Sequence, residues 1–191
     1  KTPATDYKDQ WLVFFSHPAD FTPVCASEFV AFAKRSAEFR ELNCALLGLS
    51  VDSVYSHIAW RESIKERFGV TIDFPIIDDV SMRVAHLYGL AQTVGGHTAA
   101  VRALFVIDER GILRAMMWYP ATTGRSVDEV LRLIKALQAA DRQQVVTPEG
   151  WKPGDRTVEI PPDTVAATDA KRDFTFGCVD WYYREREGQQ I

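Results

Sequence analysis

Cys25 is the residue that most invites chemistry in this sequence. It closes the run Ser16-His17-Pro18-Ala19-Asp20-Phe21-Thr22-Pro23-Val24-Cys25. Threonine is a favoured N-cap and proline suits the first helical position, so Thr22 and Pro23 predict a helix start with Cys25 at its third position. Backbone N–H groups there lack intrahelical acceptors, and the helix dipole presents its positive end. Both favour a thiolate. A free cysteine has a pKa of about 8.5, whereas helix N-termini and neighbouring cations bring such thiols to roughly 3.5–7.5. The thiolate is the nucleophilic and oxidisable form of the side chain. The competing reading, a structural cysteine on the inner face of a helix, is the common fate of free cysteine. The Thr-Pro pair ahead of Cys25 argues against it.

The elements that must position this thiol follow from periodicity. Trp11 to Phe15 reads as a buried strand, and 23–43 as a helix with Phe29, Phe32, Ala33 and Phe39 along one face. Beyond them the pattern predicts strand 44–50, helix 53–67, a short strand 74–77, helix 81–88, strands 101–107 and 112–118, and helix 126–140. Strands alternating with helices imply an α/β layer fold with a mainly parallel sheet, the last two strands forming a hairpin at Glu109-Arg110-Gly111. Val127, Val130, Leu131, Ile134 and Leu137 make a helical stripe suited to covering one sheet face. After about residue 143, Pro148, Pro153, Pro161 and Pro162 interrupt any helix. A tail so short and loop-rich is expected to pack on its own core or on a second subunit. Phe174, Phe176, Trp181, Tyr182 and Tyr183 suit such an interface.

Bulk properties bound the function. The chain has 191 residues, 47% of them hydrophobic and 25% charged, enough for one domain plus an appendage. A net charge of −4 without a basic cluster argues against nucleic acid or an anionic membrane as partner. No stretch reads as a membrane span or a signal peptide. The three cysteines, Cys25, Cys44 and Cys178, form no disulfide framework and suit a reducing cytosol. His57, His86 and His97 share no metal-ligand spacing and no C-x-x-C pair is present, so no metal is expected. There is no internal repeat or low-complexity tract.

Pro18, Thr22 and Cys25 stand in P-x-x-x-T-x-x-C spacing after Phe15-Ser16-His17. Leu47-Gly48-Leu49-Ser50-Val51-Asp52-Ser53 follows with His57 and Trp60, then Phe74-Pro75-Ile76-Ile77-Asp78-Asp79, Val101 to Asp108, and Gly150-Trp151-Lys152-Pro153-Gly154-Asp155. In this order, over nearly the whole chain, these segments resemble the peroxiredoxins of the AhpC/TSA superfamily, in particular the one-cysteine, peroxiredoxin 6-like subfamily. The resemblance implies a thioredoxin-like core over 1–142 and a C-terminal arm or small dimerisation domain over 143–191. It also implies a hairpin ahead of the first strand, which a sequence beginning at Lys1 does not contain. The lipase-type G-x-S-x-G of mammalian members falls on Lys8-Asp9-Gln10-Trp11-Leu12, where Gln10 replaces the serine, so phospholipase activity is not expected.

The implied activity is a thiol-dependent peroxidase, reducing hydrogen peroxide and organic hydroperoxides through a sulfenic acid on Cys25, with no cofactor. Thr22 offers its hydroxyl to the sulfur or the peroxide. Arg102 matches the family's arginine that stabilises thiolate and transition state. Pro18 shields the sulfur, and Glu28, one turn from Cys25, orients the arginine. His17 either meets the sulfur, acts as a base, or is a hydrogen-bonded structural group. Cys44 reads as buried and inert, whereas Cys178 is a candidate resolving thiol, across a dimer or not. The implied partners are the hydroperoxide, an external thiol reductant that is thioredoxin-like or glutathione, and a second copy in a homodimer or higher oligomer, with a cytoplasmic location. Two alternatives stay open: a peroxide-sensing or chaperone-like switch on the same cysteine, and a cysteine hydrolase pairing Cys25 with His17.

Overall fold

The structure, a computed structural model, describes residues 3–94, 97–165, 168 and 177–188. The chain divides into two compact units, Lys1–Val127 and Asp128–Ile191. The first contains α1 (Pro3–Asp6), β1 (Trp11–Ser16), α2 (Pro23–Lys34), α3 (Ser36–Glu41), β2 (Cys44–Ser50), α4 (Val54–Phe68) and β3 (Ile76–Asp78). It continues with α5 (Arg83–Leu87), β4 (Ala91–Val94), β5 (His97–Ala100), β6 (Arg102–Ile107) and β7 (Leu113–Tyr119). α6 (Val127–Gln143) opens the second unit, followed by β8 (Val145–Val146), β9 (Thr157–Glu159), β10 (Cys178–Asp180) and β11 (Tyr183–Arg186).

The main sheet runs β3-β2-β1-β6-β7. β1 pairs in parallel with β2, and β2 with β3, while β6 runs antiparallel to both β1 and β7. The expected mainly parallel sheet is therefore evenly mixed, because the chain returns to β1 from the opposite direction after the short β4–β5 hairpin. All six residues of β1 are buried, which explains its unbroken apolar run. Its side chains alternate between two cores. Phe14 joins Leu12, Leu47, Leu49 and Phe105 on one face. On the other, Phe15 stacks on Phe32 at 4.5 Å and meets Phe29 and Phe74.

The helix expected over 23–43 is two helices. Arg35 leaves helical geometry (φ −106°, ψ 7°), and its guanidinium grips Glu38. Ser36 and Arg40 both donate to Asp73, at 2.9 and 2.6 Å, while Phe39 stays buried against Phe32. Tertiary bonds here override a continuous helical pattern.

In the second unit, Trp151 packs on Ala136 and Ala139 of α6, and Arg132 donates to its carbonyl at 3.0 Å. Val130, Leu131 and Ile134 are buried and Leu137 is half-buried. The tail, whose prolines and loops led to the expectation that it packs on its own core or on a second subunit, forms a four-stranded sheet, β10-β11-β9-β8. Its strands are two to four residues long, too short to show a period. Arg156–Glu185 and Arg186–Glu159 ion pairs tie β11 to β9 and its approach. Trp181 and Tyr182 meet edge to face, and Phe174 and Phe176 lie outside the described residues.

Candidate active site

Cys25 lies where the sequence puts it, at the third residue of α2, with Thr22 at the N-cap and Pro23 at the first helical position. Its side chain is fully buried. The turn before it is made by Phe21, which takes a left-handed backbone (φ 54°) and points 60% exposed into solvent. Thr22 departs from the capping expectation. Its hydroxyl donates to the Ala19 carbonyl at 2.8 Å, and no helix N–H reaches it. Its proton is thus engaged and its oxygen lone pairs remain. Pro18 is half-buried in the same loop.

Arg102 opens β6, beside the C-terminal end of β1. The Ser16 hydroxyl brackets it, donating to the Val101 carbonyl at 2.6 Å and accepting from the Ala103 N–H at 3.3 Å. That pins the backbone on both sides of the arginine. Arg102 Nη1 reaches Cys25 Sγ at 3.6 Å and also bonds Glu28, while Nη2 donates to the Ala121 carbonyl at 2.9 Å. Nε is buried without a hydrogen-bond partner. The expected Cys25–Arg102–Glu28 arrangement is assembled.

A second arginine, which the sequence reading missed, completes the cluster. Arg125 gives Glu28 three bonds, from its backbone N–H (2.7 Å), Nε (2.8 Å) and Nη2 (2.8 Å). Its Nη1 donates to the Ser16 and Ala103 carbonyls, and its guanidinium lies over the Phe15 ring. Burial alone would raise the Glu28 carboxyl, but Arg125 and then Arg102 hold it below the ordinary carboxylate range. Two buried cations share one carboxylate, leaving one uncompensated positive charge against the Cys25 sulfur. Arginine is normally exposed, and nothing local in Thr123-Gly124-Arg125-Ser126 marks this one as buried.

His17, at the end of β1, packs between Phe29 and Trp60. Its Nε2 bonds Asp20 Oδ1 at 2.9 Å, and its buried Nδ1 has no partner. No hydrogen bond joins it to Cys25, so the Cys–His pair of a hydrolase is not formed. Asp20 Oδ2 meets His57 Nδ1 at 2.8 Å. His17, Asp20 and Asp52 bring ligand atoms within 4.8 Å of one another. Those atoms already serve hydrogen bonds, Asp52 Oδ2 accepting from Asp20 N–H and Ser50 Oγ, so a cation would have to displace them. The meeting of Asp20 with His57 across 37 residues is a tertiary fact that no local spacing carries.

Of the other thiols, Cys44 is buried in β2 and burial pushes it up to about 12. Cys178 is half-buried in β10. A cavity of about 760 Å³ opens elsewhere, between residues 7–10 and 107–111, and none of the site residues lines it.

Comparison with known proteins decides the family. Residues 1–116 match the model of the AhpC/TSA family, and residues 136–171 match the C-terminal domain of 1-Cys peroxiredoxin. The chain belongs to the AhpC/TSA family of peroxiredoxins. It is 54% identical to a peroxiredoxin of Aquifex aeolicus over 187 residues, covering 93% of this chain and 84% of that one. It is 49% identical to peroxiredoxin 2 of Thermoplasma acidophilum, covering 96% and 92%. Its fold superposes on a Cys-to-Ser mutant of peroxiredoxin 6 from Arenicola marina with a TM-score of 0.85 at 31% identity, over 99% and 90% of the two chains. A yeast mitochondrial 1-Cys peroxiredoxin gives 0.84 at 41% identity, over 95% and 88%. This peroxiredoxin is a thiol-dependent peroxidase with a thioredoxin-like α/β fold and a C-terminal domain. The matches favour turnover over a switch built on the same cysteine. Among the described residues, no helix is long and apolar enough to cross a membrane.

Proposed function

We propose that Cys25 is the peroxidatic thiol and that Arg102, Thr22, Pro18, His17 and Glu28 serve it in reducing hydrogen peroxide and small organic hydroperoxides. The observation that carries this reading is Arg102 Nη1 at 3.6 Å from Cys25 Sγ, in a buried cluster with two guanidiniums and one carboxylate. A thiolate balances that cluster and a neutral thiol does not. The thiolate attacks the terminal oxygen of ROOH: the S–O bond forms, the O–O bond breaks, and RO⁻ takes a proton and leaves as ROH. Negative charge moves from sulfur to the leaving oxygen, so donors must span both positions. Arg102 supports this with Nη1 at the sulfur and a buried, unpartnered Nε. Thr22, its proton held by Ala19, accepts from the peroxide O–H and so aims the substrate. Pro18 fences water from the sulfur.

Return of the sulfenic acid to thiol takes two further thiols: the first condenses with loss of water, and the second reduces the resulting disulfide. We assign the first step to Cys178 and the second to an external thiol. The yeast mitochondrial relative, described as resolved through glutathione/thioredoxin systems, supports that donor class. We further propose a cytoplasmic homodimer or higher oligomer in which 143–191 is the dimerisation domain beside a core of 1–142. Tyr182, 53% exposed on a structured tail, supports this.

The test is stopped-flow oxidation of the reduced protein by peroxide, followed by tryptophan fluorescence. Wild type is expected to react about 10³-fold or more faster than a free thiol, and Cys25→Ser not at all. Oxidation at the rate of a free thiol would refute the peroxidase site. Turnover is then measured with thioredoxin, glutathione and ascorbate in wild type and Cys178→Ser, and equal recycling in both with every donor removes Cys178 from the cycle.

A further inference from the structure

We propose that His57 is a positioning residue of this site: from α4 it fixes the Asp20 carboxylate, and through Asp20 it fixes which nitrogen of His17 carries the proton. The proposal rests on the reading of Cys25 as peroxidatic thiol, since His17 and Asp20 belong to the loop that carries it.

Donor and acceptor accounting leads there. His57 faces two acceptors, Asp20 Oδ2 from Nδ1 at 2.8 Å and the Ile77 carbonyl from Nε2 at 3.3 Å. A ring with acceptors at both nitrogens is satisfied only as the imidazolium, protonated at both. Its charge is balanced by Asp20, a buried carboxylate that Ser56 also bonds. Asp20 Oδ1 is left for His17 Nε2 at 2.9 Å. An ionised carboxylate accepts only, so Nε2 must carry the proton there and Nδ1 is a bare lone pair. That lone pair is fully buried and meets no donor among the described residues. A buried acceptor kept empty costs stability, and such a cost persists where the group has work to do.

The charges follow the same pattern. His17 faces Asp20, Asp52 and Arg125, and burial pushes it down, so it stays neutral. For His57, burial acts downward too, but the bond and charge of Asp20, with the Ile77 carbonyl and Asp52, carry it above the ordinary histidine value. Burial would raise Asp20, yet its two histidines hold it well below the usual carboxylate range. Below the His57 midpoint the trio is therefore His57⁺, Asp20⁻ and neutral His17. Raising the pH through the His57 midpoint removes its charge and leaves one proton for two acceptors, which loosens the hold on Asp20.

Two substitutions separate this role from packing. An asparagine amide nitrogen overlays Nδ1 and can still donate to Asp20, whereas a glutamine amide reaches the Nε2 position beside Ile77. In nitrogen-15 spectra of the whole protein, wild type and His57→Asn are expected to show His17 protonated at Nε2, while His57→Gln shows a mixture. Peroxide should oxidise Cys25 about tenfold more slowly in His57→Gln, with recovery in His57→Asn. Wild type should also lose rate on the alkaline side at the midpoint of the His57 resonances, a limb that His57→Asn lacks. Wild-type tautomer and rate in His57→Gln, or equal impairment of both variants, would overturn the proposal. Should neither variant fold, wild type alone decides, because His17 resonances that ignore the His57 titration also overturn it. Failure of the peroxidase reading would look different: slow oxidation of wild type with the His17 tautomer intact.

Discussion

Glu28 holds the site together by accepting from two arginines whose side chains, like its own, are all but sealed from water. Removing one partner of a buried ion pair leaves the other charge unbalanced, at a cost of about 3–5 kcal/mol. Glu28→Gln keeps the shape and loses the charge, so thermal unfolding is expected to fall by roughly 6–12 °C, at about 2–4 °C per kcal/mol for about 3 kcal/mol. Oxidation of Cys25 should slow by about tenfold or more as Arg102 loses its anchor. An unchanged melting point would refute the account of the cluster. Because its carboxyl is held below the ordinary range, Glu28 contributes at any pH above about 4.3 and is lost only as acid takes the pH through its lowered midpoint. Cys25 could be read beforehand because a helix start is a local fact, whereas Arg102, Glu28 and His17 were legible only through the resemblance to peroxiredoxins. Arg125 could not. What makes it part of the site is the carboxylate 97 positions away that receives it.

Gly48 shows how β2 admits the site from beneath. A methyl group there would stand 3.2 Å from Cζ of Phe29, the ring that meets His17 edge to face. Gly48→Ala must therefore push Phe29 aside, with an expected loss of about 1–3 kcal/mol in denaturant unfolding and slower oxidation of Cys25. Unaltered stability with an unaltered rate would show that Phe29 has room to spare. The long elements β1, β2, β6 and β7 were legible because six or seven residues of apolar run or alternation exceed what chance spacing gives. The break at Arg35, the β4–β5 hairpin and the strands of the tail were not. Asp73 fixes the broken helix and β9 pairs with β11 from far along the chain, while β4 and β5 pair locally but are only four residues each, too short to show a period.

For the molecule entire, the proposed dimer makes a direct claim about mass. Sedimentation at about 10 μM, where an interface of micromolar affinity is largely filled, should give twice the chain mass. Trp181→Ala combined with Tyr182→Ala should move the wild type toward a single chain. A wild-type monomer at that concentration would remove the tail from any role between copies. The second unit also explains why the sequence looked loose after residue 143: its order comes from small paired strands and a tryptophan seated on α6, none of which leaves a periodic trace. Cys44, walled into the central sheet with its thiol held protonated, is deaf to alkylating reagents while the chain is folded. Iodoacetamide therefore finds it only in molecules that have opened, and the extent of its labelling keeps time for global unfolding independently of any peroxide.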